Sequence, residues 1–151
     1  MTGPVFMIGG PNLGRLGSRQ PEIYGDTTWA ELEVLCRGWA GELGLDLEFL
    51  QSDTEGELVG MIHRASDTGA GLILNAAAYT HTSVAIRDAV QAVDIPVVEL
   101  HLTNPDAREP FRQKNFLADV VTAGIRGFGI EGYRLALAGM ATLLGPDSRR
   151  P

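Results

Sequence analysis

Short apolar runs alternate with stretches of helical spacing along the chain, and that rhythm limits the possible folds more than any other feature. Val5-Phe6-Met7-Ile8 stops at Gly9-Gly10-Pro11 and reads as a buried first strand. Residues 10–26 read as a long loop. Thr28-Trp29-Ala30-Glu31 is a capping-box pattern opening a helix to about residue 43, where Gly44 stops it. Alternation over 45–50 marks a second strand. Ser52-Asp53-Thr54-Glu55 offers another capping box, and Leu58, Met61, Ile62 and Ala65 then form one helical stripe. Leu72-Ile73-Leu74 is a third strand ending at Asn75, followed by a helix over 83–93. A fourth strand over 96–101, a short helix over 110–115, a fifth strand over 120–125 and a helix over 131–144 complete the series.

Five strands alternating with helices imply a parallel sheet covered on both faces, joined by right-handed crossovers. The expected architecture is a flavodoxin-like α/β three-layer sandwich, a five-stranded, doubly wound parallel sheet. The length of 151 residues suits one domain over 1–147, with 148–151 as a frayed tail. Hydrophobic residues at 44% supply a core without disulfides, and the single cysteine, Cys36, permits no intramolecular one. A reducing, cytoplasmic setting fits that count. The net charge of −7 disfavours nonspecific binding to nucleic acid or an anionic membrane. It leaves room for a small anion held by local arginines. No apolar run reaches the roughly 18–20 residues of a membrane span, and no basic segment precedes the first apolar run as in a signal peptide.

In such sheets ligands bind beyond the carboxyl ends of the strands. That rim collects Asn12, Arg15, Arg19 and Tyr24 after the first strand. After the third come Asn75, Tyr79, Thr80, His81 and Thr82. Glu99, His101, Thr103, Asn104, Arg108 and Arg112 follow from the fourth. The glycines at 9, 10 and 14 match neither a Walker loop nor a dinucleotide fingerprint, so a tight turn is the simpler reading. His63 lies inside a helix, away from the rim. His81 and His101 have no third ligand at a metal-site spacing. Glu99 and His101, two apart on a strand, share one face; they suit either a structural ion pair or a histidine oriented for proton transfer. Trp29 and Trp39 read as packing residues. Arg108 and Arg112 can share a helix face and favour an anion.

The segment from Gly10-Pro11-Asn12-Leu13-Gly14-Arg15-Leu16-Gly17 through Arg19, Pro21 and Tyr24-Gly25 closely resembles the N-terminal signature of type II 3-dehydroquinate dehydratases. The resemblance continues through Gln51-Ser52-Asp53, residues 75–83 (Asn-Ala-Ala-Ala-Tyr-Thr-His-Thr-Ser), Ala85-Ile86-Arg87-Asp88-Ala89 and Glu99-Leu100-His101-Leu102-Thr103-Asn104. It ends with Arg108-Glu109, Phe111-Arg112, Gly127-Phe128-Gly129 and Gly132-Tyr133. It implies dehydration of 3-dehydroquinate to 3-dehydroshikimate, by anti elimination through an enolate, with neither a metal nor an organic cofactor. By position, Tyr24 would be the base and Arg19 would favour its ionised form. Asn12 would place a water at the enolate. His101 would be the general acid, oriented by Glu99. Asn75, His81, Arg112 and the backbone amides of Leu102 and Thr103 would hold the carboxylate and hydroxyls, with Arg108 keeping the pocket positive. The resemblance also implies trimers assembled into a dodecamer, with Asp88 reaching a neighbouring subunit's site.

The family usually has Asn at Gly9, Glu at Gln20, Gly at Ala77 and a His-Ser pair at Lys114-Asn115. The sequence therefore leaves three readings: the dehydratase itself, a sibling dehydratase acting on an amino analogue in secondary metabolism, and a non-catalytic homologue that binds a carboxylate or serves assembly. The presence of both Tyr24 and His101 argues against the third.

Overall fold

The structure is a computed structural model that describes residues 2–18 and 20–146. Arg19 and the tail over 148–151 lie outside the described residues. Five parallel strands, β1 (Val5–Gly9), β2 (Leu47–Gln51), β3 (Gly71–Asn75), β4 (Val97–His101) and β5 (Ala123–Arg126), form one sheet in the order β2-β1-β3-β4-β5. This is the flavodoxin-like order, and its topological switch point lies between β1 and β3. The helices are a single-turn α1 (Pro21–Tyr24), then α2 (Trp29–Glu42), α3 (Glu55–Thr68), α4 (Val84–Gln91) and α5 (Glu131–Leu144).

Side chains alternate along the strands, so the central strands β1, β3 and β4 feed two cores. Val5, Met7, Ile73, Val98 and Leu100 pack with Leu32, Cys36, Leu137 and Met140 from α2 and α5. Phe6, Ile8, Leu72, Leu74 and Val97 pack with Leu58, Ile62, Ile86 and Val90 from α3 and α4. β1, β3 and β4 are buried at every position, which explains why their sequences are continuous apolar runs.

Two glycines set how closely the site can be drawn together. A Cβ on Gly10 would stand 2.5 Å from the Ala76 carbonyl oxygen, so glycine lets the ends of β1 and β3 meet. A Cβ on Gly9 would stand 2.5 Å from Cη2 of Trp29. The Trp29 ring lies 4.5 Å from that of Phe49 and fills the space a side chain at 9 would take. Glycine at 9, where the resemblance implies asparagine, therefore leaves room for the Trp29 ring.

Thr28 caps α2, its Oγ1 accepting the Glu31 N–H at 3.1 Å. The second expected capping box does not form. Thr54 holds the cap position of α3 without a side-chain bond. Ser52 is buried two residues earlier, where its hydroxyl accepts the Thr54 N–H at 3.0 Å and donates to Glu57 Oε2 at 2.9 Å. The presumed loop over 10–26 contains a 3-10 turn (Leu13–Arg15) as well as α1. The third long helix begins at Val84 with Ser83 as its cap and ends at Gln91. The short helix expected over 110–115 is the 3-10 turn Pro110–Gln113. β5 begins at 123 rather than 120, because Val120 N–H closes a turn onto the Leu117 carbonyl and pairing with β4 starts at Val98↔Ala123.

Candidate active site

A cleft of about 590 Å³, counting its open mouth, lies beyond the carboxyl ends of β1, β3 and β4, at the switch point. Its lining includes Asn12 and Tyr24 from the β1 side, Asn75 and His81 from the β3 side, and His101, Leu102, Thr103, Arg108 and Arg112 from the β4 side. Nine of the twelve residues to which the resemblance assigns a role therefore meet in one place. Glu99 stands behind His101 and does not line the cleft. Asp88 is exposed on α4, outside the cleft.

Several backbone contacts hold these groups. Asn12 has a left-handed backbone (φ 71°), and its N–H donates to Asp53 Oδ1 at 2.9 Å. Gln51 Nε2 ties the same Asp53 oxygen to the Gly10 carbonyl, at 3.0 and 3.1 Å. Asn75 Oδ1 accepts the Ala77 N–H at 3.1 Å, and its Nδ2 donates to Tyr133 Oη at 3.2 Å. Tyr133 is buried on α5; burial pushes its hydroxyl well above the usual phenol range, against the smaller opposing effect of the Asn75 hydrogen bond. Ala77 also has a positive φ, 53°, so it holds a left-handed conformation that costs an L-residue energy. Asn12, Gln20 and Ala77 are the non-glycine residues with positive φ among those described; Asn12 and Ala77 line the cleft, and Gln20 caps α1 beside it. Backbone strain of this kind commonly gathers at functional sites.

The β4 side carries the charge. His101 Nε2 lies 2.9 Å from Glu99 Oε2, and both side chains are buried. His81 Nδ1 lies 2.7 Å from the Lys114 carbonyl oxygen. A carbonyl can only accept, so Nδ1 carries the hydrogen and Nε2 is the acceptor nitrogen when the ring is neutral. The Arg108 guanidinium stands over the Tyr24 ring, 5.5 Å from its centroid, and donates to Thr103 Oγ1 at 3.3 Å. Arg112 grips Glu109 with Nε at 2.9 Å and a second nitrogen at 3.4 Å, while Arg108 Nε lies 3.7 Å from the same carboxylate. The Arg112 hydrogen bond is the main reason the Glu109 carboxyl is held below the usual range. Arg108 and Arg112 line the cleft with no carboxylate among its lining residues, and both share the single Glu109 carboxylate outside it.

Sequence reading missed three contributors. Asp53 anchors Asn12, Tyr133 engages Asn75, and Asn115 hydrogen-bonds Glu99. Asp53 lay within a motif carried by the resemblance, and Asn115 stood out as a departure from it. Tyr133 carries no sequence signal beyond the terminal Gly132-Tyr133 motif. Among the described residues no group of three or more His, Cys, Asp or Glu side chains is placed to hold a metal ion.

An open parallel sheet, with a phenol, a buried imidazole–carboxylate pair and two arginines gathered at its switch point, defines an α/β protein organised around a small polar cleft. The family model for class II dehydroquinases matches residues 3–141, and the chain belongs to that family. It is 51% identical over 148 residues to the 3-dehydroquinate dehydratase of Dinoroseobacter shibae, covering 97% of this chain and 99% of that one. The 3-dehydroquinate dehydratase of Salinispora arenicola is 51% identical over 137 residues, covering 91% and 96%. The crystal structure of the type II dehydroquinase from Propionibacterium acnes superposes with a TM-score of 0.90 at 42% identity, over 94% of this chain and 98% of that one.

Proposed function

We propose that this chain is a hydro-lyase that converts 3-dehydroquinate to 3-dehydroshikimate and water in the shikimate or quinate pathway. The observation that carries the reading is the joint presence, in one cleft, of Tyr24 and a His101 buried against Glu99. Both belong to motifs shared with the dehydratases.

The chemistry follows from what the elimination needs. Removing the proton beside the ketone puts negative charge on the carbonyl oxygen, which needs hydrogen-bond donors aimed at it. The hydroxyl on the next carbon leaves poorly unless it is protonated as it departs. Tyr24, from the β1 side, takes the proton. A water placed by Asn12 stabilises the enolate oxygen. His101, from the end of β4, gives its proton to the leaving hydroxyl, which departs as water while the enolate collapses to the enone. Anti elimination needs base and acid on opposite faces of the substrate, and carrying them on different elements leaves room for that arrangement. Asn75, His81, Arg112 and the Leu102 and Thr103 amides bind the hydroxyls and carboxylate. Arg108 keeps the cleft cationic, and Arg19 lends a second charge to Tyr24. Residues 1–147 act as one unit, and the reaction draws on no metal or organic cofactor.

The working form is a homo-oligomer, a dodecamer built from trimers. The exposed position of Asp88 on α4, outside its own cleft, supports a role in a neighbour's site. Cytoplasmic placement accords with the single cysteine, and no described helix is long and apolar enough to cross a membrane. Purified protein mixed with 3-dehydroquinate is expected to generate the conjugated enone, followed by its ultraviolet absorbance. Absence of that product from folded, assembled protein overturns the reading.

A further inference from the structure

Asn115 lies just after the turn Pro110–Gln113, and its side chain is engaged at both ends. Its Oδ1 accepts the backbone N–H groups of Leu117 at 2.7 Å and Ala118 at 2.9 Å. Those two donors fix the amide's orientation, since only the oxygen can face them. Nδ2 therefore faces β4, where it donates to Glu99 Oε2 at 2.8 Å. The same oxygen stands 2.9 Å from His101 Nε2. A carboxylate oxygen with an amide N–H on one side accepts equally well from an imidazole N–H on the other. Nε2 then carries its hydrogen towards Glu99, and Nδ1 is the nitrogen left to exchange a proton with substrate.

We infer that Asn115 is a positioning residue for the general acid: through Glu99 it fixes the tautomer and the direction of the His101 ring. This rests on the reading of His101 as the acid. Asn115 does not line the cleft, so it acts through Glu99 rather than on substrate. It borders a second cavity behind the imidazole. The charged and titratable groups facing that cavity are Glu99 and His101 from β4, Arg112 from the turn, and Arg126 of β5 paired with Asp106 at 2.6 Å. The Arg112 and Arg126 charges are met by Glu109 and Asp106, which leaves the Asn115 amide as the donor facing Glu99 Oε2 beside His101.

Asn115→Asp is the informative substitution. It keeps an oxygen for the Leu117 and Ala118 N–H groups but sets an oxygen, in place of a donor, against Glu99. At neutral pH kcat is expected to fall about 10-fold or more with KM within about 2-fold of wild type, as for loss of an interaction felt in the transition state. The deficit is expected to shrink as pH is lowered, because a protonated carboxyl at 115 can donate to Glu99 as the amide does. A structural defect would not track pH in that way. Asn115→Ala provides the second variant: it should lower kcat in the wild-type background but by less than about 2-fold in a Glu99→Ala background. Wild-type kcat in folded Asn115→Asp, a pH-independent deficit, or additive losses with Glu99→Ala each overturn the proposal. Failure of both variants to fold overturns it too, since Asn115 would then be holding the segment rather than the acid. Lack of dehydratase activity in the wild type is a separate result, and it removes the proposed function itself.

Discussion

Tyr24→Phe preserves the ring beneath Arg108 and deletes only the phenolic oxygen, so it separates a base from a packing residue. If Tyr24 takes the proton, kcat falls by about 10²–10⁴-fold while substrate affinity holds. Near-wild-type turnover would return Tyr24 to a packing role. Ala77 poses a different question. Its φ of 53° is a conformation glycine reaches without Cβ strain, and the family usually has glycine there. Ala77→Gly is therefore expected to stabilise the protein by up to about 1 kcal/mol, the strain relieved less the extra freedom of the unfolded chain. Urea midpoints for the two proteins decide it, and a lower midpoint for the glycine variant rules out relief of strain. Most groups of the cleft were legible as sequence because they sit at strand ends, where the topology sends them. Asn115 was not, because its bond to Glu99 depends on how a bend folds back over β4, and no periodicity encodes that.

At the scale of elements, caps and apolar runs carried most of the information. Thr28 closes α2 with one side-chain bond, and Thr28→Ala is expected to cost about 1 kcal/mol by chemical denaturation with no change in KM. A loss below about 0.3 kcal/mol would mean that packing, rather than the cap, fixes where α2 begins. Ser52 followed the same sequence pattern and led elsewhere. Burial turned its hydroxyl towards Glu57, and a four-residue pattern cannot report burial. The start of β5 was misplaced for a related reason. Val120-Val121-Thr122 has strand-forming side chains, but the Val120 N–H closes a turn onto Leu117, and only at Thr122 does the backbone reach β4, at Val97. The pairing of Gly9 with Trp29 was hidden because it joins residues on different elements through shape alone.

For the molecule as a whole, alkaline pH should be the weak flank. Burial in the core, with Glu33 adding to it, pushes the Cys36 thiol up to about 12 from an ordinary 9.0. Between those values the unfolded chain releases the thiol proton and the folded chain keeps it, so stability is full below about pH 9 and falls as pH rises. Tyr133 adds to the fall with the same sign, from its ordinary phenol range upward. The urea midpoint is expected to decline from pH 9 to 11, and less steeply in Cys36→Ala; a flat profile would contradict the assignment. The Asn75–Tyr133 hydrogen bond reaches further. It joins the end of β3 to α5, the last long helix among the described residues, and α5 also covers the sheet face carrying Val98 and Leu100. As the polypeptide leaves the ribosome, every residue lining the cleft emerges before α5 does, yet Asn75 stays without its buried partner until the helix docks. Each chain's own part of the cleft should therefore be completed late, when α5 docks, and chains stalled before residue 131 should expose an apolar face for chaperones to hold.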